Sequence, residues 1–332
     1  PPTTGASCSA SARSARRPAA VGRAATSLAR VTDAAPRVAL LTNPTSGKGR
    51  GARGREAALD VLRGTDVEVL DLVGADADEA LALARSAVPD VDALVVCGGD
   101  GLVHLAVQAL AGTGTALGVV PAGTGNDVAR YLDLPRRDPA AATHVVLDAL
   151  RRPQDKRRRR RIDLARAGDK HFVTVLAAGF DAKVNERANA MTWPHGQMRY
   201  NIATLAELRT FTPISYTLDL DGETRSLEAM MVAVGNGPSF GGGLRITEGA
   251  VLDDGLLDVV IIKPMGKGEL VRTYPKLFTG THTTHRQYEH HRVRRVTVAA
   301  PGIVTYADGE RFGPLPMTVE CAPGALEVLT PA

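Results

Sequence analysis

The fold is decided by VVCGGDGLVHLAVQ, Val95 to Gln108. An apolar run ends at Gly98-Gly99-Asp100-Gly101, and a second apolar run begins at once. A short apolar strand that passes through glycines straight into a helix is the joint of a βα unit. Working outward, the same alternation recurs. RVALLTN (37–43), VEVLDLV (67–73), DALVVCG (92–98) and ALGVVPAG (116–123) read as strands. GREAALDVLRG (54–64), ADEALALARSAV (77–88) and GLVHLAVQALAG (101–112) read as helices. Strands this short and apolar belong to a parallel sheet covered on both faces. The expected fold class is α/β, with a doubly wound N-terminal domain.

After about residue 160 the pattern changes. Segments 172–179, 214–220, 225–236, 255–262, 295–300, 303–310, 315–323 and 325–329 read as strands. Several alternate polar with apolar residues, the mark of half-buried antiparallel sheet. Two helices stand out: 196–211, with Met198, Ile202, Leu205 and Leu208 on one face, and 268–278. The expected division is a disordered basic tail over 1–36, an α/β domain over 37–155 and a β-rich domain over 156–332. The last strands are allowed to return to the first domain, and the active site is expected in the cleft between the two.

Three loops fall at the carboxyl ends of the predicted parallel strands, where such sheets bind ligands. They are NPTSGKGRG (43–51), GGDG (98–101) and AGTGND (122–127). Glycine lets backbone N–H groups close on an anion, and a following helix turns its positive end to the same place. Asp100 is the odd residue there, because a carboxylate repels phosphate. It fits if a magnesium ion lies between them, or if the loop is only a tight turn with Asp100 as helix cap. Lys48 can reach a phosphate. The P-loop pattern fails, since Gly49 follows Lys48 and Thr42 stands where its first glycine belongs. The dinucleotide pattern G-x-G-x-x-G does match at Gly49, Gly51 and Gly54, with Asp71 at the end of the next strand. Its glycines begin six residues past Asn43, however, and it leaves the other two loops unexplained.

Composition removes other classes. The chain has 332 residues, a formal net charge of +4 and 4% aromatics, too few for a base-stacking nucleic-acid platform. Five arginines of the first 36 residues face one acid, Asp33, so the basic character belongs to the tail. The tail has the Arg/Ser bias of an organelle transit peptide but no clean apolar core of a secretory signal. No run approaches the ~18 apolar residues of a membrane span. Cys8, Cys97 and Cys321 form no disulfide or zinc pattern, which suits a reducing cytosol. Cys97 reads as a core residue, His282, His285, His290 and His291 as a surface loop, and Trp193 as core or a lipid contact. The cationic run Lys156–Arg161 reads as a solvated loop or as an attraction to anionic lipid. DGE occurs twice, at 221–223 and 308–310, and both copies suit type I′ hairpin turns.

NPTSGKG, GGDG, PAGTGNDVAR, FGGGLRITEGAVLDDGLLDVVII, PKLFTGTH and the final DGE together resemble the diacylglycerol kinase and sphingosine kinase family, specifically its soluble bacterial diacylglycerol kinase branch. The resemblance runs from about 37 to 331. It implies an ATP- and Mg²⁺-dependent lipid kinase, most simply one converting diacylglycerol to phosphatidic acid. It also implies a C-terminal β-sandwich. The alternatives are another lipid such as a sphingoid base, or a catalytically idle nucleotide-binding protein. By motif, nucleotide contacts fall on Asn43, Pro44, Thr45, Ser46, Gly47 and Lys48, on Gly98, Gly99, Asp100, Gly101, Leu102, Val103, His104 and Leu105, and on Thr124. A structural magnesium falls on Val251 and Leu256 as carbonyl donors and Asp254 as carboxylate, with Asp100 toward the catalytic one. The catalytic acids fall on Asp308 and Glu310. The family commonly has Thr, Asn and Glu where this chain has Leu102, His104 and Leu105, and Asp71 stands where a nucleotide-contacting Thr is usual. The implied setting is cytoplasmic and peripheral to a membrane, with a lipid at the bilayer surface as partner and a homodimer allowed.

Overall fold

Strand β3 (Ala93–Gly98), which runs into the GGDG turn, has every residue buried. It lies in a parallel array with β2 (Glu68–Val73), β1 (Arg37–Thr42) and β4 (Ala116–Pro121), ordered β2-β1-β3-β4. Successive side chains of a strand face opposite sides, and both sides here are covered. Val38, Leu40 and Val95 pack with Leu59 and Leu62 of α1 (Arg50–Arg63) and Val146 of α5 (Pro139–Leu150). Ala39, Leu41, Leu94 and Val96 pack with Ala84 of α2 (Ala77–Ala87) and with Val107 and Leu110 of α3 (Asp100–Leu110). This computed structural model describes residues 35–43, 49–193, 198–199, 202–203, 206–207 and 212–332.

The second lobe is a sandwich. One sheet is ordered β12 (Tyr288–Val293), β11 (Leu257–Ile262), β10 (Met231–Gly235), β7 (Val175–Gly179), β14 (Val304–Ala307), β15 (Glu310–Pro314), all antiparallel. Leu176, Val232 and Val259 from it meet Tyr216, Leu218, Val296 and Val319 from β8 (Ile214–Leu220), β13 (Arg295–Ala299) and β16 (Met317–Leu329). β16 pairs antiparallel with β13 and with β5 (Arg159–Ala167), and its far end lies parallel to β4, Val328 beside Leu117. One sheet therefore runs through both lobes, and the β4 edge of the parallel array is covered by β16.

Several elements differ from the sequence expectation. α5 was not expected from the sequence, although Asp138 caps it by accepting from Ala141 N and Pro139 stands in its first turn. The apolar run 225–236 is two strands in different sheets, β9 (Glu223–Ala229) and β10, with the chain crossing at Met230. Segments 315–323 and 325–329 are the single strand β16, interrupted by a register shift and left-handed Gly324. Arg159–Arg161 are not loop but the start of β5, where Arg159 and Arg161 pair with Glu327. His290 and His291 are likewise strand residues, His290 beside Asp258 and His291 beside Glu289. Helix 268–278 is shorter, Lys267–Thr273, and continues as a 3₁₀ turn over Tyr274–Phe278 that contains Pro275. Most of the expected helix 196–211 lies outside the described residues.

Candidate active site

The glycines at the strand ends are required by contact between the loops themselves. A Cβ on Gly99 would stand 3.0 Å from the Cα of Gly123, and one on Gly123 2.4 Å from the Cα of Gly99. The GGDG and AGTGND turns thus meet backbone to backbone. Asn126 holds the second turn closed, its Oδ1 accepting from Gly123 N at 3.0 Å. Arg50, just past the NPTSGKG segment, donates to Thr124 Oγ1 at 3.1 Å. Residues following all three strands therefore converge on one patch.

Asp100 does not cap its own helix. Its Oδ1 accepts from Asp127 N at 2.8 Å and Val128 N at 3.4 Å, so it caps α4 (Asp127–Tyr131) from a neighbouring element. Burial, and after it the nearby Asp127 carboxylate, push the Asp100 carboxyl up to about 6. Asp127 is itself buried and joins the lobes: it accepts from Ser239 Oγ at 3.2 Å, from Gly242 N at 2.6 Å and from the Arg130 guanidinium. Gly241, Gly242 and Gly243 all have positive φ, which lets the 240–244 turn lie against Gly125.

The two acids of the final DGE have different surroundings. The hairpin β14–β15 turns at left-handed Asp308 and Gly309. The Asp308 side chain is fully buried and faces four donors: Thr174 N at 2.8 Å, Thr174 Oγ1 at 2.7 Å, Val173 N at 3.3 Å and His104 Nδ1 at 2.7 Å. This carboxylate fixes the hairpin to α3 and to the β6–β7 junction, β6 being Lys170–Phe172. Glu310 is exposed, and its Oε1 lies 3.0 Å from where a Cβ on Gly101 would be. It sits over the first turn of α3, where the helix dipole favours an anion. The other DGE is a surface hairpin in which Asp221 accepts from Arg294 N and Arg295 N.

Next to the turns opens a mostly apolar cavity of about 470 Å³. Thr124 and Gly125 form part of its wall, with Phe180, Met231, Ile246 and Leu277 among the apolar residues behind them. His282 lines it as well, and burial holds its imidazole below the usual range.

The chain matches the diacylglycerol kinase catalytic domain over residues 37–158 and the YegS C-terminal NAD kinase beta sandwich-like domain over 174–330. It is 43% identical over 302 residues to a diacylglycerol kinase of Mycobacterium tuberculosis, covering 89% of this chain and 95% of that one. The chain belongs to the diacylglycerol kinase family of lipid kinases. A Bacillus subtilis diacylglycerol kinase is 26% identical over 285 residues, covering 84% of this chain and 91% of that one. In fold it resembles a Bacillus anthracis diacylglycerol kinase, with a TM-score of 0.72, 23% identity and coverage of 89% and 97% of the two chains. More distantly it resembles an Archaeoglobus fulgidus NAD kinase solved with ATP, at 0.51 and 15%, covering 89% and 93%.

Among the residues that the diacylglycerol kinase resemblance singled out, Pro44–Lys48 lie outside the described residues. Gly98–Gly101 and Thr124 are brought together as above. Val103 and Leu105 are core side chains, and Leu102 packs over Gly98, so only their backbone can serve a nucleotide. His104 turns to Asp308. Asp71, which stands where a nucleotide-contacting Thr is usual, pairs with Arg55. At the turn where the structural magnesium was expected, the Asp254 carboxylate is met by the protein itself. Asp254 Oδ1 accepts from Leu256 N at 3.0 Å, and its other oxygen holds the Arg292 guanidinium. Of the neighbouring acids, Asp253 meets Arg160 and Asp163 accepts from the backbone N–H groups of Gly255 and Gly324, while Asp258 meets His290 through Oδ1 and leaves its buried Oδ2 without a hydrogen-bond partner among the described residues. Asp163, Asp127 and the His104–Asp308 contact were not singled out from the sequence, because each depends on partners far away in the chain.

Proposed function

We propose that this lipid kinase transfers the γ-phosphoryl group of ATP to a lipid hydroxyl, with diacylglycerol as acceptor and phosphatidic acid as product. One observation carries the reading: a free carboxylate, Glu310, stands over the helix end to which the glycine turns converge, and Thr124 and Gly125 of those turns form part of the wall of an apolar cavity. The turns suit a triphosphate, the cavity suits an acyl chain, and the carboxylate suits an alcohol that must lose its proton.

Asn43–Lys48, the backbone of Gly98–Leu105 and Thr124 would hold the nucleotide, which supplies the phosphoryl group. Phosphoryl transfer asks the protein mainly for positioning and charge neutralisation. Asp100 and Glu310 flank Gly101; Asp100 would hold a Mg²⁺, which would supply charge neutralisation for the phosphates, and Glu310 stays open toward the lipid. Glu310 accepts the proton of the lipid hydroxyl. Asp308, saturated by four donors, positions Glu310 rather than accepting a proton itself. The enzyme works at the cytoplasmic face of a membrane and is peripheral to it; no helix among the described residues is long and apolar enough to cross one.

The test is transfer of radiolabel from γ-labelled ATP to a panel of diacylglycerols, monoacylglycerols and sphingoid bases. Label is expected in diacylglycerol, with Glu310→Gln lowering turnover by roughly 10²- to 10⁴-fold. Nucleotide binding with no labelled lipid from any member of the panel refutes the proposal.

A further inference from the structure

The roof of the apolar cavity is formed by the helix Lys267–Thr273 and the 3₁₀ turn Tyr274–Phe278, and neither contains a buried residue. Leu270, Thr273, Tyr274 and Leu277 face inward to the cavity. Val271, 51% exposed, and Phe278, 46% exposed, lie outside its lining. The neighbouring wall has the same character. Met191 and Ala203 pack in one cluster with Leu270, while nearby Trp193, Met198 and Ile202 are exposed, Trp193 at 74%. Five of the eight exposed large apolar residues described in the chain thus lie on these two segments. Scattered single exposures are ordinary, but a concentration at the rim of a cavity marks an interaction surface.

The charge of the roof names the partner. Residues 263–288 contain five cations, Lys263, Lys267, Arg272, Lys276 and Arg286, and one acid, Glu269; Lys263 pairs with Glu289 and Arg286 with Glu269, while Arg272 and Lys276 make no ion pair among the described residues. Apolar side chains ringed by cations match the headgroup and acyl boundary of an anionic bilayer. The arginine run, the other cationic candidate, is largely neutralised in place. Arg157 and Arg158 pair with Asp155, Arg159 with Glu327 and Arg160 with Asp253, and Val251, two residues from Asp253, is a single exposed apolar side chain there rather than a cluster.

We infer that the 267–278 roof, with the adjoining exposed side chains of Trp193, Met198 and Ile202, is the surface by which the protein docks on an anionic membrane and takes lipid directly into the cavity. The inference rests on the lipid kinase reading. A roof without buried residues can shift at little cost in core packing, and docking places its outer side chains among the acyl chains that the cavity receives.

The test compares the full chain with Val271→Ser/Phe278→Ser and Arg157→Ser/Arg161→Ser by flotation with vesicles of phosphatidylcholine and phosphatidylglycerol. Turnover of a short-chain diacylglycerol, dispersed as monomers, and melting temperature are measured alongside. The roof variant is expected to lose about tenfold or more of its vesicle binding while keeping its melting temperature and its turnover of dispersed lipid. The arginine variant is expected to bind like wild type. Trp193, the only tryptophan, should shift its emission to shorter wavelength on binding. Wild-type binding by the roof variant, loss confined to the arginine variant, or binding with no Trp193 shift would each overturn the inference. So would a wild type that phosphorylates dispersed lipid without binding vesicles, a result that leaves the kinase reading intact. Failure to phosphorylate any lipid would instead remove the kinase reading.

Discussion

At the residue scale, the acids divide by environment more than by sequence. Asp221 and Asp308 occupy the same Asp-Gly-Glu turn with nearly the same φ, 51° and 54°, yet one is a surface hairpin and the other anchors the site. Asp308→Asn should lose turnover and also about 2–4 kcal/mol of stability, since donors now facing its carboxylate would meet an amide N–H₂. Glu310→Gln should lose turnover alone, and urea titration of both variants separates the two roles. Asp100 offers a sharper check. Its carboxyl titrates at about 6 against 3.8 in the unfolded chain, so the folded state holds the proton more tightly. Stability on this account is full below pH 3.8 and falls as pH rises toward 6, by up to about 3 kcal/mol. Asp100→Asn should therefore be more stable than wild type at pH 7.5, with the difference vanishing near pH 4, while phosphoryl transfer is lost. Wild-type turnover should fall as pH drops through about 6. Equal urea midpoints at pH 7.5 would contradict this account.

At the element scale, the glycine pattern 49-51-54 shows how a motif can be real and its usual reading wrong. Gly54 faces the sheet, where a Cβ would come 2.9 Å from Cys97 Sγ and 3.3 Å from Ala122 Cβ. The glycine serves close helix–sheet packing, and Asp71, the acid that the dinucleotide pattern would require, pairs with Arg55. Gly54→Ala should cost about 1–3 kcal/mol by overpacking, measured by thermal melts. The 250–256 turn makes a second case. With the Asp254 charge met by Arg292, the wild type should melt at the same temperature in magnesium and in chelator. Arg292→Met should melt slightly lower, by about 1 kcal/mol or less for a half-exposed pair, and should become sensitive to magnesium. A chelator-sensitive wild type would restore the cation to the turn.

At the scale of the whole molecule, β16 is the decisive element, because it belongs to the sandwich at one end and to the parallel sheet at the other. Two lobes sharing a strand should unfold together, and calorimetry should give one transition over residues 35–332; two separated transitions would contradict the shared sheet. The parallel strands, their flanking helices and the glycine turns were legible in the sequence because their periodicity and their turn chemistry are local. So was the family, through motifs spread along the chain. The split of 225–236 between two sheets, the Asp100 cap on α4 and the burial of Asp308 against His104 were not legible, since each joins residues far apart in the chain. Short-range pattern sets which segments are strand, turn or helix, since it follows from side-chain spacing along one backbone. Which carboxylate keeps a proton, which meets an arginine and which stands open over the first turn of α3 depends on desolvation and donors brought in by distant segments, and only the packed molecule supplies those.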